Sequence, residues 1–194
     1  MGKIQITTKT GDSGESALAN GQRLSKASSY FEVVGTLDEL NSWLGLIAAS
    51  LPEDANRLRQ QLYSIQETLF YVGAEIAQSP KAKLPSKKVL DLEKWQKEFE
   101  TALEPNWHTK FLLPGGTVLG GQIDIARTVC RRTERLMIGH AQTTRVSPVL
   151  VRYLNRLSDY LYLVRCYVNQ QLSYEEIEFV ATEADAPTAD SEAK

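Results

Sequence analysis

Apolar residues recur at three- and four-residue steps along most of this chain. Val34, Leu37, Leu40, Leu44 and Ile47 mark one face of a helix from about Ser28 to Ser50. Pro52 ends it or opens the next turn. Leu58, Leu62, Ile65, Leu69, Val72 and Ile76 predict a second helix, stopped before Pro80. The basic stretch 81–88 holds Pro85 and reads as a connection. Val89, Leu92, Trp95, Phe99 and Leu103 predict a third helix. Residues 105–116 are irregular and end in the breaker Pro114-Gly115-Gly116. A fourth helix is expected over about 117–141. A fifth is expected over about 147–171, with Pro148 suited to its first turn.

Residues 1–27 show no helical period and carry Thr, Gly, Ser and Lys. They read as an ordered loop, 28–180 as one helical domain with it, and 181–194 as a disordered acidic tail. No strand pair is convincing. The expectation is an all-α five-helix bundle with ferritin-like up-down packing and an ordered N-terminal nucleotide-binding loop.

Composition narrows the functional classes. The 194 residues carry 22 Lys and Arg against 24 Asp and Glu, a net charge of −2, so a global basic field for nucleic acid is excluded. Cys130 and Cys166 cannot make a disulfide framework, which fits a reducing compartment. His108 and His140 are the only histidines, so a His-based metal site is not expected. The opening residues lack the apolar stretch of a signal peptide, and no run of about 18 apolar residues suggests a membrane span. A cytoplasmic protein is expected.

The fourth helix carries an unusual set of cations. With Arg127 at zero on a helical wheel, Arg131 falls at about 40°, Arg135 at about 80°, Arg132 at about 140° and Glu134 at about −20°. Ile125, Val129 and Leu136 fall between about 160° and 200°, where the apolar face is expected. A solvated face with local ion pairs explains this pattern simply. The choice of Arg throughout, with no Lys, suits bidentate phosphate contacts or buried carboxylate pairs. On the fifth helix Arg152, Asn155 and Asp159 lie opposite Leu150, Leu157, Leu161, Val164 and Val168. That polar group is either an exposed face or part of a site shared with the fourth helix.

Two loops add candidate chemistry. Thr8-Lys-Thr-Gly-Asp-Ser-Gly-Glu-Ser16 combines two glycines, hydroxyls and a lysine, so its backbone N–H groups can converge on an anion. It lacks the Gly-Lys-Ser/Thr of a Walker A loop. Phe111-Leu-Leu-Pro-Gly-Gly116 sets a large apolar side chain on a loop just before the arginine helix.

These segments, in order, resemble one family. Thr8-Lys-Thr-Gly-Asp-x-Gly is followed by Val34-Gly-Thr-x-Asp-Glu-Leu-Asn-Ser42 and Phe111-x-Leu-Pro-Gly-Gly116. Arg127-x-x-x-Arg-Arg-x-Glu-Arg135 and Leu154-Asn-Arg-Leu-Ser-Asp-Tyr160 complete the set. The pattern is similar to the ATP:cob(I)alamin adenosyltransferases of the propanediol-utilisation type, over about residues 3–170. The resemblance implies a five-helix bundle assembled as a homotrimer, with sites between subunits. It implies transfer of the 5′-deoxyadenosyl group of ATP to reduced cobalamin, release of triphosphate, and support by Mg²⁺. Thr8, Lys9, Thr10 and Gly11 would wrap the phosphates, with Ser16 following and Lys26 adding charge. Arg131, Arg132, Glu134 and Arg135 would line the nucleotide, and Asn155 would reach it from the fifth helix. Arg127 would pair with Asp38 of a neighbouring subunit, and Phe111 would keep the lower axial ligand off the cobalt. A cobalamin reductase and an adenosylcobalamin-dependent client enzyme are the implied partners. Ser13, Ala17 and Asn20 depart from the family's habit, which bears on nucleotide affinity more than on activity. No motif marks 173–180, so Tyr174 and Phe179 receive no role.

Rival classes make distinct demands. A di-iron bundle needs Glu-x-x-His pairs, but Pro105 and Met137 stand three residues before the two histidines. An ATP-binding regulator, or a cobalamin carrier without transferase activity, is the rival on the same fold; a regulator would keep the ATP contacts and lose the cobalamin side, and the presence of Phe111, Asp38 and Arg127 argues against that. A purely structural trimer predicts no stabilisation by ATP.

Overall fold

The computed structural model describes residues 7, 9–18, 20–79, 82–105, 107 and 111–180. Five helices dominate them: α1 Ser29–Ser50, α2 Asn56–Ile76, α3 Lys87–Ala102, α4 Val118–His140 and α5 Pro148–Gln171. Each falls where the apolar spacing predicts it. The ends follow local chemistry. Thr117 caps α4 by accepting a hydrogen bond from the Gly120 amide at 3.0 Å. Ser147 caps α5 through the Val149 amide, with Pro148 in the first turn.

Cross-helix hydrogen bonds fix the directions. On α1 and α4, Ser29 meets His140 and Glu39 meets Arg132, so these helices run antiparallel. Cys130 with Leu154 and Asp124 with Arg165 make α4 and α5 antiparallel as well. Glu93 with Arg156 and Ala102 with Gln170 make α3 and α5 parallel. Arg59 with Ala48 and Gln66 with Asn41 make α1 and α2 antiparallel, so successive helices alternate in direction. α5 is the central helix, packed against both α3 and α4, while α1 lies between α4 and α2. Its buried residues surround it on nearly every side, from Leu150 and Tyr153 to Val168 and Asn169. Tyr160 is fully buried and its hydroxyl donates to Gln61 Oε1 on α2 at 2.9 Å.

Two expectations need correction. A short antiparallel hairpin is present: β1 Glu15–Ala17 pairs with β2 Arg23–Ser25, in the register Ser16 opposite Leu24. Three-residue strands are too short to show a period of two, so pattern alone misses them. On α4 the buried face lies about a quarter turn from the one expected. It is built from Leu119, Ile123, Ala126, Cys130, Thr133 and Met137. Val129 is buried at its rim, Leu136 is half-buried, and Ile125 is 42% exposed. Ala126, Cys130 and Thr133 sit among the larger Leu119, Ile123 and Met137 on this face, where α4 packs against both α1 and α5. The polar groups turn inward to backbone acceptors, with Thr133 bonding Val129 O and Cys130 bonding Leu154 O.

Among the described residues no helix is long and apolar enough to cross a membrane. The tail 181–194, expected to be disordered, lies outside the described residues, as does His108.

Candidate functional site

The N-terminal loop closes on itself around its glycines. Gly14 has φ +82°, a value glycine adopts freely, and the turn it makes lets Lys26 N donate to Gly14 O at 2.8 Å. Gly14 N donates to Gly11 O at 3.2 Å. Lys26 folds across Gly11, where a Cβ would stand 2.9 Å from the ammonium nitrogen. Arg23 spans the hairpin, donating to Thr10 O at 2.9 Å and to Glu15 at 3.3 Å. Lys9, Thr10, Gly11, Ser16 and Lys26 thus belong to one small folded unit with two adjacent cations, Lys26 and Arg23. Thr8 lies outside the described residues.

On α4 the arginines diverge. Arg127 and Arg131 line a polar cavity of about 380 Å³. Gln96 and Glu100 on α3, Trp107, and Ser158, Asp159 and Tyr162 on α5 complete its wall. Arg127 is held twice. Its Nε donates to Asp124 Oδ1 at 2.9 Å, and its guanidinium stands 6.0 Å from the centre of the Tyr162 ring. Burial raises the Asp159 carboxyl above its ordinary value, opposed by Arg156 and Arg131. Glu134 accepts a hydrogen bond from Asn155 Nδ2 at 3.1 Å, so the polar side of α5 does join the arginine face. Arg132 points the other way and pairs with Glu39 on α1. Arg135 is exposed and, among the described residues, bonds its own helix at Arg131 O.

Phe111 stands at the other end of α4 and is 83% exposed. The segment after α5 reaches back to it. Phe179 N donates to Phe111 O at 2.7 Å, and Leu113 N donates to Ile177 O at 2.9 Å. Ile177, Phe179 and Val180 are themselves exposed, so an apolar surface surrounds Phe111. Sequence reasoning assigned no role to Phe179, because a two-residue bridge leaves no periodic signal. Asp38 is exposed on α1 and makes no ion pair within the described residues.

Fold and site together define a class: a helical bundle with an arginine-lined polar cavity and an exposed aromatic at one end of the helix that carries it. Its family follows from comparison. Residues 6–168 match the cobalamin adenosyltransferase family, and the chain belongs to it. The cobalamin adenosyltransferase of Cupriavidus metallidurans is 37% identical over 168 residues, 86% of this chain and 89% of that one. The corrinoid adenosyltransferase of Bacillus subtilis is 36% identical over 181 residues, 91% of this chain and 92% of that one. A solved variant of the PduO-type ATP:corrinoid adenosyltransferase from Lactobacillus reuteri, complexed with cobalamin and ATP, superposes with a TM-score of 0.83. It is 28% identical, with 90% of this chain and 99% of that chain covered.

Proposed function

We propose that this protein transfers the 5′-deoxyadenosyl group of ATP to cob(I)alamin, giving adenosylcobalamin and triphosphate. The observation that carries the reading is the pairing of an arginine-lined cavity on α4 with an exposed phenylalanine at the same helix's end. One suits a polyphosphate; the other suits an apolar corrin face.

The chemistry asks little acid–base work of the protein. Cobalt(I) supplies an electron pair to ribose C5′, the C5′–O bond breaks, and triphosphate leaves with that bond's pair. What must be supplied is alignment and stabilisation of the leaving charge. Arg131, Arg132 and Arg135 serve the phosphates and ribose, with Glu134 and Asn155 orienting the nucleotide between α4 and α5. Thr8, Lys9, Thr10, Gly11, Ser16 and Lys26 form the phosphate loop, so residues 1–27 act as the ATP-binding part of one domain. Phe111 keeps the lower axial ligand off the cobalt, which eases reduction of a four-coordinate cobalt(II).

Mg²⁺ fits as a passenger of the triphosphate. Among the described residues no three metal-ligating side chains cluster. The site offers single carboxylates, Glu134 and Asp159, as suits a cation held mainly by phosphate oxygens.

The site is completed by a second copy in a homotrimer. The root of the phosphate loop lies beside His140, through Ser29, whereas the Phe111 loop meets α4 at Asp124. Those positions are roughly 24 Å apart along the helix. Asp38 is free to meet Arg127 of a neighbour, because Arg127 gives only its Nε to Asp124. The enzyme works in the cytoplasm, takes its reduced cobalamin from a reductase and feeds an adenosylcobalamin-dependent client.

The test is anaerobic mixing of the protein with ATP, Mg²⁺ and chemically reduced cobalamin, followed by visible spectroscopy. Light-sensitive product forming in proportion to protein, and lost in Arg131→Ala, supports the reading. Protection from heat by ATP without any product would leave a nucleotide-binding relative that has abandoned the reaction.

A further inference from the structure

Packing does not hold Phe111, which is 83% exposed. Its direction is set by its backbone, and that backbone is tied to a buried polar network between α4 and α5. Arg165 is 1% exposed and spends its whole fork there. Nε donates to Asp124 Oδ2 at 3.2 Å, Nη2 to Leu113 O at 2.7 Å, and Nη1 to Glu176 Oε1 at 2.8 Å. Asp124, 6% exposed, accepts the Gly115 amide at 2.7 Å on Oδ2 and Arg127 Nε at 2.9 Å on Oδ1. Asn169, fully buried, donates to Gly115 O and Glu176 Oε1, both at 3.0 Å. It accepts from Thr117 N at 3.2 Å and Thr117 Oγ1 at 2.8 Å. Its amide fills the space a Cβ would need on Gly116 or Gly120, so both glycines admit it. Gly116 also has φ +103°, a second reason for glycine there.

We propose that Asp124, Arg165 and Asn169 are positioning residues that hold the Phe111 loop in a fixed relation to the Arg127 guanidinium. Asp124 is the junction. One carboxylate oxygen orients the arginine and the other holds the loop. Two cations, Arg127 and Arg165, balance two carboxylates, Asp124 and Glu176. Such a network is a poor way to add stability, because apolar residues would fill the same space at no desolvation cost. What it supplies is direction, since Asp124, Arg165 and Asn169 are each fixed by several bonds at once. Glu176 extends the same control to the segment that bonds Phe111 O through Phe179.

The proposal rests on the reading of Phe111 given above. It is tested with Arg165→Lys, which keeps the charge and loses the fork, and with Glu176→Ala, which lies outside the helices. Each is compared with wild type and Phe111→Ala for thermal stability, the cob(II)alamin spectrum with ATP bound, kcat and the KM for ATP. The expected result is a folded protein whose four-coordinate cobalt(II) signature fades and whose kcat falls by up to roughly 10²-fold, with the KM for ATP unchanged. Wild-type spectra and kcat in both network variants, while Phe111→Ala loses them, overturn the proposal and leave the Phe111 reading standing. If Arg165→Lys fails to fold, Glu176→Ala decides alone. A wild-type signature in Phe111→Ala would remove the reading and this proposal together.

Discussion

Ser29, the first residue of α1, and His140, the last of α4, share a hydrogen bond of 2.9 Å between Oγ and Nδ1. This contact sits where the N-terminal loop joins the bundle. Tyr30 meets the same imidazole edge-on, with ring centres 6.3 Å apart. Burial lowers the His140 pKa below its ordinary 6.5, although the C-terminal end of a helix alone would favour the charged form. A lowered value means the unfolded chain takes the proton first. The resulting stability is fully present above the unfolded pKa and is lost as pH falls through the folded one. The Tm should therefore drop as pH falls from about 7.5 to about 5.5, and His140→Gln should flatten that slope. Thermal unfolding of both proteins across that range measures it. An identical slope in the variant would assign the acid sensitivity to other groups.

Arg59 closes the turn between α1 and α2. It donates to Leu51 O at 3.0 Å, Pro52 O at 2.8 Å, Ala48 O at 3.3 Å and Asn56 Oδ1 at 3.0 Å. These carbonyls include orphans of the α1 C-terminus, where no glycine cap is present. Arg59→Ala is expected to cost about 1–3 kcal/mol in urea unfolding. Arg59→Lys should recover only part of that, because one ammonium cannot reach four acceptors.

Asn169 and Gly120 form a pair that a double-mutant cycle can read. A methyl at position 120 overlaps the Asn169 amide, so Gly120→Ala should destabilise by about 1–3 kcal/mol. Asn169→Ala removes four hydrogen bonds and also destabilises. Combined, the two should cost less than their sum by about 1 kcal/mol or more, since the second relieves the clash of the first. Strict additivity would mean that the helices move apart to accommodate the methyl.

Arg131 and Arg132 separate binding from stability. The Arg132–Glu39 pair is about half exposed on both sides, so Arg132→Ala should change stability by only about 0–1 kcal/mol. A larger fall in ATP-induced thermal shift would then report a nucleotide contact. Arg131→Ala is expected to reduce turnover by about 10²–10³-fold, the usual scale for losing a donor to developing charge. Stopped reactions under anaerobic conditions give the rate.

The sequence made the helices plain because each carries a long run of spaced apolar residues, and the start of α5 near 147 read directly from Pro148 in its first turn. The core face of α4 was harder. Its buried positions include Ala126, Cys130 and Thr133, which carry little hydrophobic signal, while the visible apolar residues are off its centre, Ile125 exposed and Leu136 half-buried. The arginines and Phe111 stood out through their motifs. Asp124 and Arg165 did not, although a signal existed. Asp124 sits between Ile123 and Ile125, and Arg165 interrupts Leu163-Val164 and Cys166. A charge inside an apolar run either breaks the helix face or finds a buried partner. Which partner it finds depends on the antiparallel register of α4 and α5, and no single helix encodes that.

The central place of α5 also bears on how the molecule is made. The helix that joins α3 to α4 is the last of the five to be synthesised. Until it leaves the ribosome, α4 can close against α1, but α3 and α4 have no shared surface, and the parts of both that α5 covers stay open for about a few seconds at ordinary elongation rates. The nascent chain up to residue 147 thus carries an apolar surface open to aggregation that the finished protein hides. A lesion in α5 such as one at Tyr160 would be felt as lost yield before it is felt as lost activity.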